Sequence, residues 1–395
     1  MFNTIKRNLY FFFCFIIIAG FLNSCKEILP KPSKITVVPV DTALIDSLRR
    51  VDSLPSFNSP VGLAIDGSGN IFVADYGNSL IRKITPTGIV STFAGNGNKG
   101  NTNGSNLLAS FNAPTGISID GLGNFYIADS GNDVIRQITN AGNVINFAGG
   151  DTIIAENGVG RHSSFSSPIG ITIDGKGNLF VADAGNNLIR KITPDSIVTT
   201  FASNAALSGN LINNPTGVDV DNIGNVYIAN YLNKNILIAD GSGNLNIYAG
   251  SGIIGNTNGL LTAASFYYPN SIAIDKKRNI IYVADGVNNL IREITPDGMV
   301  STLAGSGAAD FINGKGTAAA FNGPSGLVVD PLGNVYVADT NNNLIRKITP
   351  DGTVSTVAGN GHQGAHNGKM LASSKKLIIN STINNTFKIF NPHKF

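Results

Sequence analysis

PVGLAIDGSGNIFVADYGNSLIRKITPTGIVSTFAG, Pro60 to Gly95, decides the fold. It holds four short runs, GLAID, NIFVAD, LIRKIT and VSTFAG, in which apolar and polar residues roughly alternate and β-branched residues are common, as strands prefer. Gly69-Asn70, Asp75 to Asn78 and Pro86 to Gly88 separate the runs with turn chemistry, so the unit reads as a four-stranded antiparallel meander. The stretch returns at Pro114, Pro168, Pro215, Pro269 and Pro324, with spacings of 54, 54, 47, 54 and 55 residues. One such sheet cannot bury both faces alone. A fixed period of this size means stacked modules, and radial repetition around an axis leaves only short edges. The expected fold is all-β, a six-bladed β-propeller, and no helix is expected after the leader.

A residue present in every copy serves the module, whereas a site for one ligand should break the repeat. The first strand ends in Asp in all six copies (Asp66, Asp120, Asp174, Asp221, Asp275 and Asp330). One turn position is always Asn: Asn78, Asn132, Asn186, Asn233, Asn288 and Asn342. Five copies carry a second Asp (Asp75, Asp129, Asp183, Asp285 and Asp339) and an Arg (Arg82, Arg136, Arg190, Arg292 and Arg346). The same five carry a Phe three residues before the Pro: Phe57, Phe111, Phe165, Phe266 and Phe321. The Asp and Asn columns are expected to cap turn backbone, the Phe to wedge the core, and the Arg to pair with a carboxylate.

These columns, with linkers such as AGNGNKGNTNG, make the chain resemble the NHL-repeat family from about Phe57 to Gly359. The resemblance implies a six-bladed propeller, a fold that mostly binds proteins, RNA or glycans and in a minority of related cases carries an enzyme. The absence of Trp argues against WD-type blades.

The leader stands apart. Lys6 and Arg7 precede an apolar run, Leu9 to Leu22, which is too short for a comfortable membrane span and fits a signal peptide. It ends in Leu22-Asn-Ser-Cys25, similar to the lipobox of bacterial lipoproteins, with Cys25 as the lipid attachment residue; the aromatic leader followed by CKE resembles Bacteroidota lipoproteins. The expected organisation is a signal peptide over 1–24, a lipidated N-terminus and tether over 25–56, the propeller over 57–359, and a C-terminal loop with candidate closing strands over 360–395. Without the leader, 26 basic residues face 25 acidic ones, and no basic face of the kind nucleic-acid binders present is visible.

Chemical motifs are weak. GNGNKG (Gly95 to Gly100) and its recurrences lack the βαβ context of a dinucleotide site. Asp66 to Asn70 lacks the last acidic ligand of a calcium loop. His162, His362, His366 and His393 lie in loops or the tail. No cofactor or metal is expected. Copy four is the deviant: its preceding linker is short, Ile212, Asn230 and Leu237 replace the Phe, Asp and Arg, and Asp219 puts a charge in mid-strand. The joint loss at 230 and 237 implies that the missing Asp and Arg normally interact. Asp219, Asn230, Tyr231 and Lys234 form the candidate ligand surface, against drift of a single blade. In copy five an extra residue in NIIYVAD reads as a bulge.

The functional expectation is a monomeric binding or scaffold module for protein or glycan, held by its lipid at a bacterial envelope, in the outer membrane and facing either side. The alternative is a lactonase-like hydrolase or lyase with a metal at the channel mouth, for which Asp219 and Asn230 are the asymmetric candidates.

Overall fold

A computed structural model describes residues 54–150, 156–204 and 210–369. Six antiparallel sheets form around a common axis, each built from one copy of the repeat. In blade 1 the strands are Pro60–Ile65, Ile71–Asp75, Leu80–Ile84 and Ile89–Ala94, running from the axis outward. The only helical elements among the described residues are three-residue 3₁₀ turns, such as Tyr76–Asn78.

The four expected strands gain a fifth in five of the blades. Each linker donates a two-residue strand to the outer edge of the blade that follows it: Gly104–Ser105 for blade 2, Gly158–Val159 for blade 3, Gly259–Leu260 for blade 5 and Gly314–Lys315 for blade 6. Gly368–Lys369 does the same for blade 1, pairing with Ile89 and Val90. The ring is thus closed by a linker-like segment beyond residue 359, using the device found at four of the other five junctions between blades. The strand-like runs read at KKLIINSTINNTFKIF lie outside the described residues. Blade 4, which follows the short linker, keeps four strands.

The extra residue of copy five is not a bulge. Asp275 pairs with Ile280, so both strands extend by one residue and a four-residue turn, Lys276 to Asn279, takes up the insertion. Asp275 Oδ1 accepts from the amides of Lys277 and Arg278.

What sets the blade spacing is a column of glycines on the inner strands. A Cβ at Gly62 would lie 1.9 Å from the Thr115 carbonyl oxygen of blade 2, and one at Gly326 would lie 1.9 Å from that of Val61, across the closing seam. Gly116, Gly170 and Gly217 meet the next blade's backbone in the same way. Beside this contact, Thr115 and Thr216 donate to the carbonyls of Pro168 and Pro269 on the next blade. Outside it, apolar residues from adjacent sheets interleave, as in the Phe72, Phe93 and Phe125 cluster between blades 1 and 2.

Because the obstacle at these glycines is backbone, relaxation is limited. Gly62→Ala and Gly326→Ala should each lower unfolding free energy by about 2 kcal/mol or more. Gly67→Ala, where a Cβ meets nothing within 4 Å, should change it by less than about 0.5 kcal/mol. Urea unfolding of the three variants checks this.

Candidate functional site

The repeated polar residues are accounted for by architecture. Asp66 accepts from the amides of Ser68 and Asn70 and from the Asn70 side chain, capping its hairpin; Asp120, Asp174 and Asp330 do the same in their blades. The second Asp does more than cap a turn. Asp75 Oδ1 accepts from the Asn58 amide, and Oδ2 accepts from Asn78 Nδ2 and from Arg82 at 2.9 Å. Arg82 then reaches out of the blade, donating to the carbonyls of Ser56 and His366 and to Asn367 Oδ1. Its guanidinium carbon lies 5.5 Å from the centre of the Phe57 ring. The same set recurs at Asp129–Arg136–Phe111, Asp183–Arg190–Phe165, Asp285–Arg292–Phe266 and Asp339–Arg346–Phe321, with both charged side chains fully buried. The outer acceptor is always the Asn of a linker Asn-Gly: Asn103, Asn157, Asn258, Asn313 or Asn367. Arg therefore fastens the incoming linker to its blade in five of the six blades. Asn78, Asn132, Asn288 and Asn342 add a second tie, to a linker carbonyl, while Asn186 donates to Asp183. The GxGxxG strings belong to these linkers: Gly100, Gly255 and Gly364 donate to the Phe carbonyls, and a Cβ at any of them would strike a serine hydroxyl.

Blade 4 replaces the whole set. Its linker lacks the Asn-Gly, Leu237 fills the Arg position, Ile212 the Phe position, and Asn230 bonds neutrally to the Asn213 amide, the Leu211 carbonyl and Asn235. Asn230 is fully buried and forms no part of a ligand surface. In the other blades burial opposes the charge on the carboxylate despite its partners. It raises Asp75, Asp183, Asp285 and Asp339, and carries Asp129 up to about 6.

A central channel runs between the inner strands. Leu63, Ile117, Ile171, Val218, Ile272 and Leu327, one per blade, form an apolar collar shared by a cavity of about 420 Å³ at one mouth and one of about 500 Å³ at the other. The larger mouth is charged, lined by Asp66, Asp219, Asp275, Lys276, Lys277 and Asp330. Asp219 is committed there: it accepts from Thr172 of blade 3 and from the Ile274 amide of blade 5, so it clamps three inner strands. Burial raises its pKa, opposed by Lys276.

The smaller mouth is different. No Asp, Glu, Lys, Arg or His lines it; aliphatic side chains, the amides of Asn214 and Asn270, Ser and Thr hydroxyls and Tyr231 do. Tyr231 of blade 4 stacks on Tyr268 of blade 5, with ring centres 4.5 Å apart and planes 12° apart, and Tyr267 lies 4.8 Å from Tyr268. This cluster occupies a seam that lacks a usual staple. At three other seams a left-handed Asp or Asn (Asp133, Asn187 or Asn289) accepts the amide that precedes the next blade's Pro, and Asn343 does so at the closing seam. Lys234 takes that position in blade 4 and has no acceptor to offer. Asp219, Asn230, Tyr231 and Lys234 are therefore not one surface. Asp219 faces the charged mouth, Asn230 is interior, Lys234 sits in a turn, and Tyr231 alone lines the neutral cavity. Tyr267 and Tyr268 were missed by the sequence reading. Their signal was FYYPN in copy five, against FNSP, FNAP, FSSP, INNP and FNGP. Among the described residues, no three His, Cys, Asp or Glu side chains are grouped to hold a metal.

The NHL repeat model matches residues 57–84 and 321–348, the first and last blades, and the Teneurin NHL domain model matches 155–312 between them. The chain belongs to the NHL-repeat propellers. NHL repeat-containing protein 2 of Gallus gallus is 29% identical over 324 residues, 74% of this chain and 39% of that protein; the NHL chain thus spans about two fifths of such curated relatives. Two solved propellers share its fold. An auxiliary nutrient binding protein from Bacteroides thetaiotaomicron superposes with a TM-score of 0.58 at 17% identity, covering 76% of this chain and 70% of that one. Virginiamycin B lyase from Staphylococcus aureus gives 0.50 at 15% identity, covering 77% and 86%.

Breaking one NHL charge pair should cost more than removing it. Arg82→Leu leaves a buried carboxylate without its cation and should destabilise by about 3–5 kcal/mol, and adding Asp75→Asn should return part of the loss. Chemical denaturation of both variants measures the difference. A second check is pH. Asp129 titrates near 6 when folded and near 3.8 otherwise, so between those values the native state binds the extra proton. Its contribution to stability grows as pH falls through 6, and Asp129→Asn should remove that dependence from the unfolding free energy.

Proposed function

We propose that this NHL propeller is a binding module held at a bacterial envelope by a lipid on Cys25, with its ligand at the neutral channel mouth between blades 4 and 5. The observation that carries the reading is the departure from symmetry at that mouth. Tyr231 has a counterpart in Tyr76 of blade 1, but only at the seam of blades 4 and 5 is that ring met by Tyr267 and Tyr268, where the other copies place Asn, Ser, Ala or Gly. Shared side chains do structural work in every blade, so a specific ligand must use what the copies do not share. The lipid anchor rests on the leader and on Leu22-Asn-Ser-Cys25, with the segment over 25–56 joining the lipid to the propeller. Several acyl chains, at about 0.8 kcal/mol for each buried methylene, anchor firmly. The fold neighbour described as an auxiliary nutrient binding protein from Bacteroides thetaiotaomicron is consistent with a capturing role. A monomer suffices, because one ring contains the whole mouth.

Cys25→Ala should abolish incorporation of an alkyne fatty acid and release the protein from the membrane fraction. The immobilised full chain should retain a component of envelope extracts, and Tyr231→Ala should lose it. Acylation without Cys25, or retention that ignores Tyr231, would remove the anchor or the site respectively.

A further inference from the structure

We infer that the neutral mouth recognises an uncharged carbohydrate, with a pyranose ring laid on Tyr231. This rests on the binding-module reading and narrows its ligand. Three observations meet here. The first is charge: the lining offers no cation for a phosphate or carboxylate and no anion for an amine, whereas the opposite mouth carries both signs. A partner that enters a site of aliphatic side chains with amides and hydroxyls among them is itself neutral and offers both C–H surface and hydrogen-bonding groups. The Asn214 side chain and the Ser271 hydroxyl, both on the lining, have no protein hydrogen bond among the described residues. Ser271 stands where the other five blades have the inner-strand glycine, so a hydroxyl has been added at the one position of the ring that otherwise admits no side chain.

The second observation is the aromatic surface. Tyr231 lines the cavity and is backed by Tyr268, which is itself backed by Tyr267. The negative face of an aromatic ring suits the C–H face of a pyranose, and a ring already held in place loses little freedom when it is covered. The cavity falls in the size range of small-ligand sites.

The third is strain. Tyr268 has φ +58, a left-handed conformation that bulky side chains rarely adopt. The same position is left-handed in every blade, but elsewhere it holds Ser59, Ala113, Ser167, Asn214 or Gly323. Tyr bears this conformation where Asn or Gly would be easier, and outliers of this kind gather at binding sites. Its position behind Tyr231 supplies the reason.

The test uses the full chain in detergent micelles on a printed array of uncharged and acidic glycans, followed by calorimetric titration with the uncharged oligosaccharide it retains best. Tyr231→Ala and Tyr268→Asn should each weaken that Kd at least tenfold. Tyr268→Asn should at the same time melt at or above the parent temperature, because Asn suits the left-handed backbone; a folding defect therefore cannot account for its loss. Lys277→Ala, at the charged mouth, should bind as the parent does. Binding of acidic glycans alone, no binding on the array, or equal binding by the two tyrosine variants overturns the inference. An empty array together with a Tyr231-dependent protein from envelope extracts would leave the module reading standing and replace carbohydrate with a protein ligand. An empty result in both would remove both.

Discussion

Five of the six inner strands approach the next so closely only because the residue that faces it has no side chain; blade 5 alone carries a serine there, Ser271. At Gly62 and Gly326 the neighbouring carbonyl lies where a Cβ would be. That contact fixes the wedge angle of each blade and brings the collar of Leu63, Ile117, Ile171, Val218, Ile272 and Leu327 together. The collar in turn separates a charged mouth from a neutral one. Everything farther out is a consequence of holding identical wedges at that spacing. Aromatic clusters fill the gaps between sheets, and linkers run along the outer edges.

The buried Asp–Arg–Phe set is a fastening, and its value is positional. Taking both ions out of water is costly, and burial still raises the aspartates beside their arginines. What the set provides is a fixed address for each linker, because one guanidinium can satisfy two carbonyls and an Asn side chain at once. Blade 4 shows that the wedge survives without it. When the linker loses its Asn-Gly, the Arg has nothing to hold, and Ile212, Asn230 and Leu237 fill the space with apolar and neutral groups. The same blade supplies Tyr231 to the neutral mouth. Loss of a repeated device and gain of an unrepeated contact, Tyr231 on Tyr268, occur side by side.

Much of this was legible in the sequence. Periodicity gave the blade number and the meander, since each hairpin carries its own turn residues. The joint absence of Asp and Arg from copy four revealed that they form a pair before any distance was known. Other parts were hidden for physical reasons. The fifth strand is two residues long, and Gly368–Lys369 carries no strand signature; its pairing follows only from where the linker runs. The Asn of each linker Asn-Gly reads as turn chemistry, although its side chain is an arginine's acceptor. Tyr267 and Tyr268 lie in copy five, whose columns otherwise look regular, and their meaning depends on a neighbour in copy four. Side chains that meet across a seam have no local signal. The candidate surface assembled from copy four therefore mixed Asp219, which clamps the charged mouth, with Tyr231, which lines the other.

The central claim is that one seam of a near-symmetric ring carries the ligand. Hydrogen–deuterium exchange of the full chain, with and without the envelope component it retains, tests this most directly. Protection should concentrate in 230–235 and 266–272, leaving the equivalent segments 75–80 and 57–63 of blade 1 unchanged. Protection spread evenly over the six blades, or confined to 275–278 at the charged mouth, would contradict it.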